Sequence, residues 1–143
     1  MNEKETIKAV LLGETYVSKT CIINRLKNNG IYENILATNG ADYCSKTIKF
    51  QDLEQTINLD IWDSSRIEKY AGLIKCFITD AKVIVFVYDI TNKYSFESIK
   101  DYWYEKVIMY SSSETKLILV GNKLIFMKIK KLIIMMEKYL LIK

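Results

Sequence analysis

The 143-residue sequence contains no histidine, and that absence removes imidazole acid–base catalysis and histidine-ligated metal centres. Cysteine is scarce. Cys21, Cys44 and Cys76 are odd in number, and their spacings match neither a metal-ligand pattern nor a disulfide framework. Such usage suits a reducing compartment. No apolar run reaches the roughly 18 residues of a membrane span. The charged start MNEKETIK does not read as a signal peptide. A general basic surface is lacking too. The net charge is +4, but residues 124–143 hold five lysines and one glutamate, so residues 1–123 balance to zero. Nucleic acid is therefore not an expected partner of the main body.

What is present is enough for one globular domain. Half the residues are hydrophobic and 27% are charged, which places the chain away from disorder. Strands and helices alternate along it. TIKAVLLG reads as an apolar strand running into a loop. KTCIINRLKNNG has Cys21, Ile22 and Leu26 at helical spacing, with Gly30 as a stop signal. KTIKF and QTINLDIW alternate around QDLE and suggest a hairpin. EKYAGLIKCFITDA reads as a helix. KVIVFVYDI is a β-branched run of the kind buried on both faces. SFESIKDYWYEKVIMY reads as a helix opened by Ser95, and TKLILVGNK as another buried strand. This alternation predicts an α/β three-layer domain over residues 1–123.

The stretch LLGETYVSKT, residues 11–20, carries the chemistry. A phosphate-binding loop is written G-x-x-x-x-G-K-[ST] between a strand and a helix. Gly13, Lys19 and Thr20 stand at the right offsets. The backbone N–H groups of Gly13, Glu14, Thr15, Tyr16, Val17 and Ser18, with the helix N-terminus, would cradle phosphates. Lys19 would neutralise the β- and γ-phosphates, and Thr20 would turn its hydroxyl to Mg²⁺. Ser18 takes the place of the second glycine. If that position needs a positive φ, Ser18 costs about 1–2 kcal/mol, and its Cβ crowds the phosphate. The competing reading of the loop is an ordinary strand-to-helix turn with a surface lysine.

Further motifs follow in order: TNGADYCSKTI, LDIWDSSRIEKY, VFVYDITNKYSFESIKDYW and LILVGNK. With them the sequence resembles the small GTPases of the Ras superfamily, most closely the Rab branch, from about residue 5 to residue 123. The resemblance implies the small G-protein fold: a mostly parallel sheet with one antiparallel hairpin strand, the last strand and helix missing. It implies GTP and GDP as ligands and Mg²⁺ as cofactor. Thr38 matches the switch threonine that binds Mg²⁺ and senses the γ-phosphate; Asp63 matches the acidic residue of the Mg²⁺ site. Thr20, Thr38 and Asp63 are thus the metal-site residues. Asn122 and Lys123 match the start of the guanine motif N-K-x-D. Bland readings stand beside these: a loop threonine for Thr38, a helix N-cap for Asp63, a turn for Asn122–Lys123. Effector proteins are expected on residues near 36–45 and 64–72.

The departures from the family pattern carry equal information. Arg66 replaces the switch glycine whose N–H meets the γ-phosphate; it keeps the N–H but restricts the pivot. Ile67 takes the place of the glutamine that orients the attacking water, so no catalytic residue is assigned and slow hydrolysis is expected. Ile125 takes the place of the guanine-binding aspartate, which weakens discrimination of GTP from ATP. The tail, residues 124–143, does not resemble the family. Ile129, Leu132, Ile133, Met136 and Leu140 form a helical stripe that packs on the sheet or, as a second reading, touches a membrane surface weakly. No cysteine follows Cys76, so this chain offers no prenyl acceptor. The expected role is a guanine-nucleotide switch in vesicle trafficking, cytoplasmic and peripheral to endomembranes. The alternatives are a pseudo-GTPase binding module and a truncated, non-functional product.

Overall fold

The computed structural model describes residues 5–28, 42–50, 55–64 and 71–124. Five strands form one sheet in the order β2-β3-β1-β4-β5. These are β1 (Glu5–Leu12), β2 (Asp42–Phe50), β3 (Gln55–Asp63), β4 (Val83–Asp89) and β5 (Lys116–Asn122). β1 runs parallel to β3 and β4, and β4 parallel to β5; only β2 and β3 are antiparallel. The hairpin strands are longer than the alternating segments of the sequence suggest, because pairing continues from Asp42↔Asp63 to Phe50↔Gln55.

Helix α1 (Lys19–Asn28) follows β1, and α2 (Ala71–Ile78) precedes β4. A rod of α3 (Lys93–Ser98), a π turn (Ile99–Trp103) and α4 (Tyr104–Tyr110) lies between β4 and β5. Two apolar clusters flank the sheet and make three layers. Val10, Leu12, Ile84 and Phe86 pack with Ile74, Ile78, Trp103 and Val107 from α2 and the rod. Ala9, Leu11, Ile61 and Val87 pack on the other face with Val17 and with Ile23 of α1. Alternate residues of Ala9–Leu12 thus feed opposite cores, which is why this end of β1 is apolar throughout. Among the described residues no helix is long and apolar enough to cross a membrane.

Two expectations need correction. Ser95 does not open its helix: Asn92 does, its side chain accepting the Tyr94 N–H at 3.1 Å. Ser95 is instead fully buried one turn in. Its hydroxyl donates to Asn92 O at 2.7 Å and receives Asp89 N–H at 3.0 Å. β5 is not buried on both faces, since Leu117, Ile118 and Leu119 are exposed. Among the described strands it pairs with β4 alone, so it is the edge of the described sheet.

The strand order places a switch point beside β1. The chain passes from β1 over one face to the β2–β3 hairpin, then from β3 over the other face to β4. In open α/β sheets the crevice at the carboxyl ends of such strands is where ligands bind. The loop Gly13–Ser18 occupies that crevice.

Candidate functional site

β1 ends against its neighbours with no room to spare. Gly13 has φ 146°, and a Cβ built there would stand 2.1 Å from the Val87 carbonyl oxygen of β4. Glycine is thus required by backbone conformation and by close approach. The loop then turns twice through the left-handed region, at Tyr16 (φ 66°) and Ser18 (φ 74°). Ser18 therefore holds the positive φ that its position demands. Tyr16 was not anticipated as a strained residue; its side chain is 79% exposed. Each costs about 1–2 kcal/mol relative to glycine at that conformation. Ser18 also starts α1, its carbonyl accepting the Ile22 N–H at 3.2 Å.

Lys19 points back into the loop. Its residue is 3% exposed, and Nζ donates to Gly13 O at 2.6 Å and Glu14 O at 2.8 Å. A buried ammonium group ringed by loop carbonyls at a helix N-terminus is an arrangement for an anion. One residue on, the Thr20 hydroxyl donates to Asp63 Oδ2. Asp63 is the last residue of β3, wholly buried, and lies beside Leu11 in the sheet register. Ser64 pins that strand end: its hydroxyl donates to Leu11 O at 2.6 Å. A hydroxyl and a carboxylate meeting beside a buried lysine are hard oxygen donors and fit a magnesium-bound polyphosphate. Thr20 and Asp63 would hold the ion, which would neutralise phosphate charge when bound.

The far side of the crevice is built from β4 and β5. Asn122 ends β5, and its side-chain amide donates to Val17 O at 2.9 Å across 105 residues of sequence. Lys123, at φ 68°, donates to Asp89 Oδ2 at 2.7 Å. Asp89 also accepts the hydroxyl and backbone N–H of Thr91, at 2.6 and 2.8 Å. Burial by itself raises the Asp89 carboxyl. The hydrogen bonds from Lys123 and Thr91 and the charge of Lys123 outweigh it and hold the group below its ordinary value. Gly121 is cramped as well, since an added Cβ would lie 2.8 Å from Ile90 Cγ2.

The sequence-predicted residues therefore divide in two. Gly13 to Thr20, Asp63, Asn122 and Lys123 converge on one crevice. Thr38, Arg66, Ile67 and Ile125 lie outside the described residues, as do Gly30, all of the tail after Leu124 and much of the expected effector ranges. Sequence reasoning overlooked Asp89 and Ser64, although VYDIT and WDSS stand in plain view at strand ends. It also overlooked a row of aromatic rings across β2, β3 and α2. Tyr43 and Trp62 lie 4.8 Å apart between ring centroids, and Trp62 and Phe77 5.8 Å.

Strand order, loop and strand-end residues define an α/β domain of the phosphate-binding-loop class. The model of the Ras family matches residues 8–137. The Ras-related protein RabC of Dictyostelium discoideum is 33% identical over 123 residues, which is 86% of this chain and 62% of that protein. The chain belongs to the Ras family. It spans less than two thirds of the length of that Rab-related relative.

Proposed function

We propose that this chain binds guanine nucleotide with Mg²⁺ as a Rab-type switch that hydrolyses GTP slowly. The carrying observation is the convergence of buried Lys19 with the Thr20–Asp63 pair at the ends of β1 and β3. Lys19 would trade its two loop carbonyls for phosphate oxygens. Asn122 would brace the loop through Val17 while Lys123, held by Asp89, forms the floor of the base site. Thr38 and the Arg66 N–H would meet the γ-phosphate. Ile67 can neither donate nor accept a hydrogen bond, so a water there is left unoriented.

The aromatic row supports a protein partner. Tyr43 is 42% exposed beside Trp62 and Phe77, and aromatic anchors are the usual core of an interface. It extends the expected effector surface of residues 36–45 and 64–72 onto the sheet and α2. The Rab-related match favours a partner in vesicle traffic and a place at endomembranes.

Titration calorimetry with GTP, GDP and ATP, each with and without Mg²⁺, tests the proposal. Guanine nucleotides should bind, more tightly with Mg²⁺, and Lys19→Ala should weaken binding by at least about a hundredfold, two charge-assisted contacts being lost. Full affinity in Lys19→Ala would overturn the phosphate-loop reading. A second reading, a pseudo-GTPase that holds its fold but not nucleotide, is favoured by the two strained loop residues, Tyr16 and Ser18. Folded protein that binds none of the three nucleotides would establish it.

A further inference from the structure

Tyr16 is held in the left-handed region at φ 66°, a conformation that a bulky L-residue rarely adopts. Such strain clusters at ligand clamps and active sites. Packing does not offset it here. The residue is 79% exposed, more than any other large hydrophobic side chain among the described residues, so its ring buries little against the protein. Glycine would take the same φ without strain. The ring therefore gains contact only from something outside the chain.

Two tethers fix residue 16 in the crevice. On one side of it, the carbonyls of Gly13 and Glu14 accept Lys19 Nζ. On the other side, the Val17 carbonyl accepts the Asn122 amide at 2.9 Å. The first tether stands where phosphate is expected. The second joins the loop to the end of β5, next to Lys123. A ligand that reaches from Lys19 to the end of β5 runs along the loop at Tyr16. A phenol ring suits the nucleoside part of such a ligand better than its phosphates. Its hydroxyl is one neutral donor, and its face is electron-rich and apolar. Aromatic rings stack on any base, because every base has a π-face.

We propose that Tyr16 is a nucleoside-contact residue, whose ring lies over the base side of a bound nucleotide and stacks on it without choosing the base. The proposal rests on the nucleotide-switch reading. It gives that site a source of affinity that needs no acceptor at position 125, where isoleucine stands.

The test is titration calorimetry of the full chain with Mg²⁺ and three matched ligands: GDP, ADP and inorganic pyrophosphate. Tyr16→Gly should weaken GDP and ADP alike, by about tenfold, within the range for one base on one ring. Pyrophosphate has neither base nor sugar and should bind the glycine variant at least as tightly as the parent. Tyr16→Phe keeps the ring and should bind GDP far more tightly than the glycine variant does. Without nucleotide, the glycine variant should unfold at the parent's temperature or roughly 2 °C above it, since relief of strain outweighs the added freedom of the unfolded chain. A steadier protein with weaker nucleotide binding is not what a purely structural tyrosine gives. If the glycine variant keeps the parent's GDP affinity while Lys19→Ala loses it, this proposal falls and the switch reading stands. Equal losses for pyrophosphate and GDP, a loss for GDP alone, or lower stability of the glycine variant would each overturn it as well. A folded parent that binds none of the three ligands would overturn both.

Discussion

Ser18→Gly should make this protein more stable, against the general rule that glycine weakens a helix start. Ser18 sits at φ 74°. An L-residue held there costs about 1–2 kcal/mol relative to glycine. Glycine gives back about 0.4–1 kcal/mol through the greater freedom of the unfolded chain, and a few tenths more as a weaker helix cap than serine. The net gain is about 0.5 kcal/mol, or roughly 2 °C in Tm for a chain of this size. The α1 hydrogen bond from Ile22 is untouched, because it uses the Ser18 carbonyl. Ser18→Ala is the control. It keeps the Cβ and therefore the strain, so it should be no more stable than the parent. Thermal unfolding without nucleotide measures this term alone. Titration with GDP then measures a second one, because losing the Cβ lets phosphate approach the backbone. A glycine variant less stable than the alanine variant would refute the strain argument.

Other outcomes follow from the same geometry. Gly13→Ala should cost about 3–5 kcal/mol, summing backbone strain and a clash with Val87 O, and lower the Tm by about 10 °C or more; a loss under about 1 kcal/mol would show that β4 gives way. Asp89→Asn should cost about 1–2 kcal/mol at neutral pH, measured by urea unfolding, through loss of the Lys123 pair. The Asp89 carboxyl titrates below its ordinary value when folded, so its contribution is present above about pH 4 and fades as pH falls through the lower folded value. The parent should lose stability in that acid range, and the Asp89→Asn variant should lack that part of the slope. Under the proposed function, Ile125→Asp should supply an acceptor to the base site and raise the preference for GTP over ATP by at least about tenfold in competition binding.

The fold was legible where local chemistry and tertiary environment agree. Apolar β1 and β4 sit between neighbours, and each is covered on both faces by the two clusters. Gly13, Lys19 and Thr20 mark the loop because spacing fixes them to one strand–turn–helix unit. Legibility failed where position in the whole sheet decides. LILV in β5 has the composition of a central strand, yet it lies at the edge of the described sheet. Ser95 has the composition of a cap, yet it is spent inside, on Asp89 and Asn92. The pairings of Asn122 with Val17 and of Lys123 with Asp89 span 105 and 34 residues, and no periodicity encodes them. The π turn is likewise silent in sequence, since Ile99 to Trp103 continues the apolar pattern of an ordinary helix.

The departures from the family pattern are not scattered evenly through the site. The residues that join strand ends are present: Asp63 with Thr20, Ser64 with Leu11, Asn122 with Val17, Lys123 with Asp89. What is altered is the loop at Ser18 and, under the proposed function, the pivot at Arg66, the water position at Ile67 and the base acceptor at Ile125. Side-chain anchors act in any nucleotide state, because they hold the ends of β1, β3, β4 and β5 together. The pivot and glutamine of the family pattern act only when phosphate is bound, moved or cleaved. Keeping the first set and altering the second is what the proposed slow switch requires: a rigid crevice with slower cycling. The strain at Tyr16 and Ser18 is tolerable for the same reason: the amide of Asn122 and the buried Val17 beside it hold the loop in shape from across the crevice.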